Sequence, residues 1–349
     1  MITRIDIKNF RCFDSQTLTG LKRFNLIVGE SGSGKTALLE TLFLISSGNP
    51  EGFFRLRKWR GFGDSGKLSL NGTRDSYEGL FRYIFHGQGK GAVASIQSLD
   101  SRLGRRSLNI FFEDKKTLSV SFNAPENSMV IKPIHFSYDI GGKATEVVLE
   151  IKEGNIQSKG GADPYPMHYI SSKNINSSFD AQLFSQISRG GHASELLRVI
   201  QEVYSEVESL SLEIDGGETL IHARMKGLSS AIPVNELSGG LNKFLSIAVA
   251  IASNPEGVVC VDEIENGFYF KNQSQIISGL IALCNHYQVQ LFASTHSWEF
   301  LQAFAPALGG IEDDFCLIKS SYALGTSSMR VIGGGQTISA INQDIEIRN

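Results

Sequence analysis

Eight residues constrain this chain more than any others. Gly29-Glu30-Ser31-Gly32-Ser33-Gly34-Lys35-Thr36 matches GxxxxGK[ST]. The run lies between the uniformly apolar FNLIVG at 24–29, which predicts a strand buried on both faces, and TALLETLFLIS at 36–46, which predicts a helix ended by Gly48 and Pro50. A strand that passes through a glycine-rich loop into a helix builds a phosphate cradle. The glycines allow positive φ, successive N–H groups turn inward, and the helix dipole favours negative charge. In that setting Lys35 is expected to bridge the outer phosphates of a nucleotide and Thr36 to place its hydroxyl on Mg2+. A flexible loop that matches by chance is the competing explanation, and the strand–loop–helix setting argues against it.

Three further clusters gain meaning beside that loop. Val258-Val259-Cys260-Val261-Asp262-Glu263 is an apolar strand ending in two carboxylates. Ligands gather at the carboxyl ends of parallel strands, so Asp262 is expected to hold Mg2+ and Glu263 to polarise an attacking water as general base. Leu237-Ser238-Gly239-Gly240 opens a helix over about 240–252, and its hydroxyl and free N–H groups also suit a phosphate. One nucleotide needs only one cradle, so a second one calls for explanation; an ordinary Ser N-cap is the bland alternative. Ser294-Thr295-His296-Ser297 follows the apolar run VQLFA, and a histidine at a strand end can report a γ-phosphate.

Between these clusters the pattern changes twice. Residues 50–165 contain short alternating segments (SLNIFF, TLSVSFN, PIHFSYDI, TEVVLEI) with turn residues such as Gly141-Gly142, which predict an antiparallel β layer. Residues 180–208 have apolar positions at helical spacing, and SLSLEIDGGETLIHARM predicts a hairpin turning at Asp215-Gly216-Gly217. From 239 on, helices alternate with apolar strands: helix 240–252, strand GVVCVDE, helix 272–286, strand VQLFAST and a helix from near Ser297. That alternation implies a largely parallel sheet. Short strands and a last helix are expected after about 311.

Composition excludes several classes. A net charge of −3 argues against a coat of basic charge for non-specific DNA binding. The four cysteines (Cys12, Cys260, Cys284, Cys316) form no CxxC pair, which predicts reduced thiols rather than a zinc site or a disulfide framework. MITRIDIKNFRCF alternates like a strand and lacks the apolar core of a signal peptide. No run is long enough to span a bilayer, so a cytoplasmic protein with no membrane partner is expected.

Taken in order, the four elements resemble the ABC ATPases: Walker A at 29–36, signature at 237–240, Walker B at 258–263 and switch histidine at 296. IKNFRCF, DEIENGFYF, FASTHSWEFLQAF, MHYISSKN at 167–174 and the terminal INQDIEIR look like the AAA-family branch of OLD-like and RecF-like proteins, without a Toprim nuclease domain. The resemblance covers most of the chain. It implies an α/β P-loop NTPase with ABC ATPase head architecture: a parallel core sheet, an antiparallel β layer and a helical signature lobe. Residues 1–165 would be the first part of lobe I with the phosphate loop and β insertion, 166–255 the helical lobe II, and 256–349 the returning part of lobe I. It also implies ATP and Mg2+ as ligands, and a head-to-tail homodimer in which Ser238, Gly239 and Gly240 of one copy close on the γ-phosphate held by Lys35 of another. Higher assemblies remain open. Arg11 stands where relatives carry an arginine near the phosphates or DNA; from the residues alone it is equally a plain surface arginine. Ser31, Lys243 and Tyr269 depart from the residues common in relatives, and Gln88 and Gln97 are the candidates for a Q-loop glutamine.

Two roles follow from the resemblance. One is an ATPase subunit that controls a separate effector such as a nuclease, in a setting of anti-phage defence. The other is a RecF-like DNA clamp in repair or recombination, supported by FFRLRKWRGF at 53–62, where Arg55, Arg57, Lys58 and Arg60 interleave with aromatics, and by Arg102, Arg105 and Arg106. A third class, a scaffold held by nucleotide without turnover, conflicts with the intact Lys35, Asp262, Glu263 and His296.

Overall fold

The computed structural model describes residues 1–62, 74–88, 93–113, 118–122, 124–152, 155–173 and 175–348. Thr117 and Asn123 of the TLSVSFN segment and Asn174 of the MHYISSKN motif lie outside them.

β1 (Ile2–Phe10) and β2 (Phe13–Thr19) form an antiparallel hairpin, with Asn9 near the end of β1 and Arg11 in the turn both at positive φ. β3 (Phe24–Gly29) is buried at every residue, as its unbroken apolar run requires. α1 (Lys35–Ser47) is apolar nearly all round and buried from Ala37 to Ser46. α2 (Glu51–Trp59) and α3 (Arg74–Arg82) follow, so the β layer expected from residue 50 begins only at 94. In α2 an acid in the first turn and Arg57 and Lys58 in the last suit the helix dipole, a signal that Gly52 and the aromatics obscure.

The layer itself is β4 (Ala94–Asp100), β5 (Gly104–Phe112), β8 (Ile134–Ile140), β9 (Lys143–Lys152) and β10 (Asn155–Ser158), with β8 and β9 turning at Gly141-Gly142, while β6 (Leu118–Phe122) and β7 (Ala124–Ile131) pair in a two-stranded sheet of their own. After β11 (Met167–Ile170), the helix expected over 180–208 is two: α4 (Ser177–Arg189) and α5 (Ala193–Val203). Gly190-Gly191 interrupts it, with Gly191 at φ 81, and residue 207 already starts a strand. β12 (Val207–Asp215) and β13 (Glu218–Met225) form the expected hairpin around Gly216-Gly217. Next come β14 (Ile232–Pro233), α6 (Val234–Leu237), α7 (Gly239–Ala252), β15 (Val258–Val261), α8 (Gln273–His286), β16 (Gln290–Ser294), α9 (Trp298–Ala307), β17 (Phe315–Ala323), β18 (Thr326–Gly333) and α10 (Gly334–Asn342).

The chain divides into two compact units. One comprises 1–21, 30–165 and 319–331. It contains the antiparallel sheet β10-β9-β8-β5-β4-β1-β2, with α1 against β4 and β5 and a core that includes Phe10, Phe13, Phe53, Phe81, Phe136 and Tyr138.

The other unit comprises 22–29, 166–318 and 332–349. Its strands run β11-β15-β16-β3, all parallel, with the 315–318 part of β17 beyond β3. Helices α4, α5, α7, α8 and α9 contribute to one continuous apolar core with these strands. Register decides what collects at the carboxyl ends. Ser294 pairs with Ile27, and Val261 pairs with Ala293 and Ile170. One step further on, Asp262 comes beside Ser294.

Candidate functional site

The phosphate loop leaves β3 at Gly29 and enters α1 at Lys35. Gly29, Gly32 and Gly34 have φ of 142, 79 and 105, values that an L side chain rarely adopts. No side chain caps α1 and its first turn holds no acid, so the helix dipole there favours an anion. Lys35 is buried, and its Nζ donates to the Glu30 carbonyl at 2.7 Å, so the ammonium folds over the loop. The 319–331 segment braces the same loop. Ser320 Oγ donates to the Ser33 carbonyl at 2.6 Å, and a Cβ built on Gly34 would stand 2.8 Å from Cys12 Sγ and 2.9 Å from Ser327 Oγ. Ser33 Oγ is buried with no hydrogen-bond partner among the described residues. A cradle of this kind fits a chain of phosphates.

At the end of β15, Asp262 is 5% exposed; its N–H donates to the Ile170 carbonyl at 2.9 Å and its Oδ1 accepts from Ser294 Oγ at 2.6 Å. Glu263 sits at φ 48, a left-handed value uncommon for a non-glycine residue. The turn is held by its N–H donating to Ser294 Oγ at 2.8 Å and by Ile264 N–H donating to the Ser294 carbonyl at 2.9 Å. This turn aims the two carboxylates differently: Asp262 inward, and Glu263 outward with its side chain 37% exposed. Glu263 Oε2 accepts from Asn266 Nδ2 at 2.6 Å, and its Oε1 lies 3.9 Å from His296 Nε2. His296 is fixed through its backbone: its N–H donates to Glu265 Oε1 at 2.7 Å and its carbonyl accepts from Arg348 at 2.8 Å.

Lys243, on α7, is buried behind these carboxylates with Nζ 3.4 Å from the Asp262 carbonyl. Burial pushes its ammonium down to about 8, against the opposing pull of Asp262, Glu263 and Glu265. Among the described residues no group of three or more His, Cys, Asp or Glu side chains could hold a metal ion. Thr36 offers a hydroxyl and Asp262 a carboxylate, each an oxygen donor of the kind that Mg2+ takes alongside phosphates and water.

The Ser238-Gly239-Gly240 corner starts the 14-residue α7. Ser238 is extended and exposed; its Oγ accepts from Leu241 N–H at 3.1 Å, and the first turn of the helix holds no acid. Gly239 has open space around it, with nothing within 4 Å of an added Cβ. Gly240 has none: its Cβ would meet the Gly267 carbonyl oxygen at 2.8 Å and Tyr204 OH at 3.1 Å. The corner is therefore packed through Gly240 against the turn that follows Glu263, with Gly239 facing outward.

Other expectations change. Arg11 is not a surface arginine: its side chain is 11% exposed, with Nε 3.2 Å from Glu40. Burial lowers its pKa and the Glu40 carboxylate opposes that. Arg60 meets the same carboxylate through two bonds of 2.5 and 2.9 Å. Arg55 lies over Phe43 and Trp59, Arg57 donates to the Leu80 carbonyl, Arg105 donates to Gln97, and Arg106 to the Asp163 carbonyl. Several of these arginines thus have partners within the protein, while Arg55, Lys58 and Arg60 remain exposed. Of the two glutamines, Gln97 is turned to Arg105 on the β layer, and Gln88 ends a short turn whose His86 contacts the Arg11 carbonyl. Sequence reasoning assigned no role to Ser294 or Arg348. Ser294 stood in the strand-end cluster, but only its neighbour His296 has an imidazole ring that draws notice.

Family models match both halves of the chain. One described as "AAA domain" covers residues 4–159, and one described as "AAA domain, putative AbiEii toxin, Type IV TA system" covers 149–301. An "ATP/GTP phosphatase" of Helicobacter pylori is 21% identical over 346 residues, covering 86% of this chain and 87% of that protein. "DNA replication and repair protein RecF" of Teredinibacter turnerae is 36% identical over 83 residues, 24% of this chain and only 21% of RecF. Among solved structures, an SMC head bound to the C-terminal winged-helix domain of ScpA has a TM-score of 0.52 at 12% identity and covers 97% of this chain and 99% of that one. The last likeness concerns the fold alone. No helix among the described residues is long and apolar enough to cross a membrane.

Proposed function

We propose, from the premise that this chain is an ATP-hydrolysing AAA-family protein with an ABC-type head fold, that it works as a head-to-tail dimer with ATP shared between copies. In this reading residues 1–165 and 256–349 form lobe I, and 166–255 form lobe II. The backbone of Gly29–Gly34 and Lys35 holds the phosphates. Thr36 and Asp262 would hold Mg2+, which when bound neutralises charge that builds on the phosphates. Glu263 draws the proton from the attacking water, and His296, 3.9 Å from that carboxylate, steadies the γ-phosphate. Ser238, Gly239 and Gly240 complete the phosphate cage of the partner copy. Arg11 acts on the nucleotide side of α1 through its bridge to Glu40.

The observation that carries the reading is the signature corner: a second anion cradle at the start of a long helix, exposed, free of acids, with open space at Gly239. Glu263→Gln should trap the dimer. Its mass in solution should double on adding Mg-ATP, and a monomeric mass at saturating ATP would refute the shared site.

The output of the cycle is control of a separate effector, such as a nuclease, with anti-phage defence as the setting. An ATPase rate indifferent to DNA and to phage proteins, with no partner co-purifying, would remove that part. A RecF-like clamp is the second reading: Arg57 and Arg60 have partners within the protein, yet Arg55, Lys58 and Arg60 stay exposed, and duplex binding that falls steeply with salt would favour it.

A further inference from the structure

The carboxyl ends of β15 and β16 meet at one hydroxyl. Ser294 is fully buried, and its Oγ donates to Asp262 Oδ1 at 2.6 Å while accepting from Glu263 N–H at 2.8 Å. Its carbonyl takes Ile264 N–H at 2.9 Å. Three successive residues of the acidic turn are therefore tied to a single residue of the neighbouring strand. Register makes this possible: Val261 pairs with Ala293, so the next residue of each strand lies side by side.

The hydroxyl has one proton, and donates it in the hydrogen bond to Asp262 Oδ1. Its lone pair takes the Glu263 N–H. That bond secures a left-handed non-glycine backbone (φ 48), which would otherwise relax toward a more populated conformation. Orientation of the Asp262 carboxylate and of the Glu263 side chain thus share one support. Ser294 also pairs with Ile27 of β3, and Thr295 N–H donates to the Ile27 carbonyl at 3.0 Å, so the support is itself fixed by the strand that leads into the phosphate loop.

The geometry points to Ser294 as a positioning residue for ATP hydrolysis: its hydroxyl sets the direction of Asp262 toward the divalent cation and the aim of Glu263 toward water. This rests on the roles given above to Asp262 and Glu263, and not on the sharing of ATP between copies. Alanine keeps the packing volume within one atom and removes both bonds. Threonine keeps the hydroxyl.

The test compares Ser294→Ala and Ser294→Thr with the parent protein, using Asp262→Asn and Glu263→Gln as controls. Two quantities are measured: kcat and KM for ATP, and the rise in melting temperature when Mg2+ is added to protein already saturated with ATP. Ser294→Ala should lose about 10- to 100-fold in kcat, with KM changed less than threefold, and should lose most of the Mg2+-dependent rise. Ser294→Thr should keep both within threefold of the parent. If Ser294→Ala does not fold, a folded Ser294→Thr with parental turnover and metal response supports the role. Parental kcat in Ser294→Ala, or a folded Ser294→Thr as impaired as alanine, overturns it. Turnover retained in both controls would instead overturn the roles of Asp262 and Glu263.

Discussion

Gly239 and Gly240 are adjacent in sequence, yet alanine at each should fail in opposite ways. At Gly240 the new Cβ would stand 2.8 Å from the Gly267 carbonyl oxygen, a backbone atom that cannot swing aside, and 3.1 Å from Tyr204 OH. Overpacking of this kind costs about 1–3 kcal/mol. For a chain of 349 residues that corresponds to a drop of roughly 1–4 °C in melting temperature. At Gly239 nothing lies within 4 Å, and alanine in the first turn of α7 gains up to about 1 kcal/mol in helix propensity. Scanning fluorimetry of the nucleotide-free protein should show Gly240→Ala melting earlier and Gly239→Ala melting with the parent or slightly above it. In the Glu263→Gln background, light scattering with Mg-ATP should then show Gly239→Ala at least tenfold weaker in dimer formation, because its methyl group meets only what the partner brings. Parental dimerisation by Gly239→Ala would break the claim that this corner closes on another copy's phosphates. An unchanged melting temperature for Gly240→Ala would break the claim of close backbone approach.

Gly34→Ala should bind a fluorescent ATP analogue at least tenfold more weakly, since φ of 105 strains any L residue and the Cβ would press on Cys12 and Ser327; parental affinity would contradict the brace. Asp180 on α4 is buried, and burial raises its carboxyl to about 6, opposed by a hydrogen bond from Ser246. The folded protein therefore binds this proton more tightly than the unfolded chain, whose carboxyl titrates near 3.9, so stability is lost as pH rises between about 4 and 6. Asp180→Asn should be about 2–3 kcal/mol more stable than the parent at pH 7 and no more stable below pH 4. Urea melts at both pH values check this, and equal gains at both would refute it.

How much was legible beforehand follows from range. Alternation of apolar strands with helices after 239 reads directly, because strands buried on both faces and helices in a parallel sheet leave periodic patterns that need no partner to be seen. Arg60 shows the opposite case: a basic residue among aromatics reads as a nucleic-acid hook, and its two bonds to Glu40, twenty positions away, come to light only in the fold. The 180–208 segment misled locally, where helical spacing on both sides hid the break at Gly190-Gly191.

The sequence by itself determined which chemistry is available: a phosphate-binding loop, two adjacent carboxylates at a strand end, a Ser-Gly-Gly helix start and a strand-end histidine. These are short contiguous motifs, and their meaning lies in residue type and spacing. Tertiary structure alone decided that the Ser294 hydroxyl serves both Asp262 and Glu263, that Gly240 abuts Gly267 while Gly239 faces open space, and that Arg348 holds the His296 carbonyl. Each is a contact between residues more than twenty-five positions apart. Strand register and close packing set such contacts, and a pattern along the chain does not encode them in readable form.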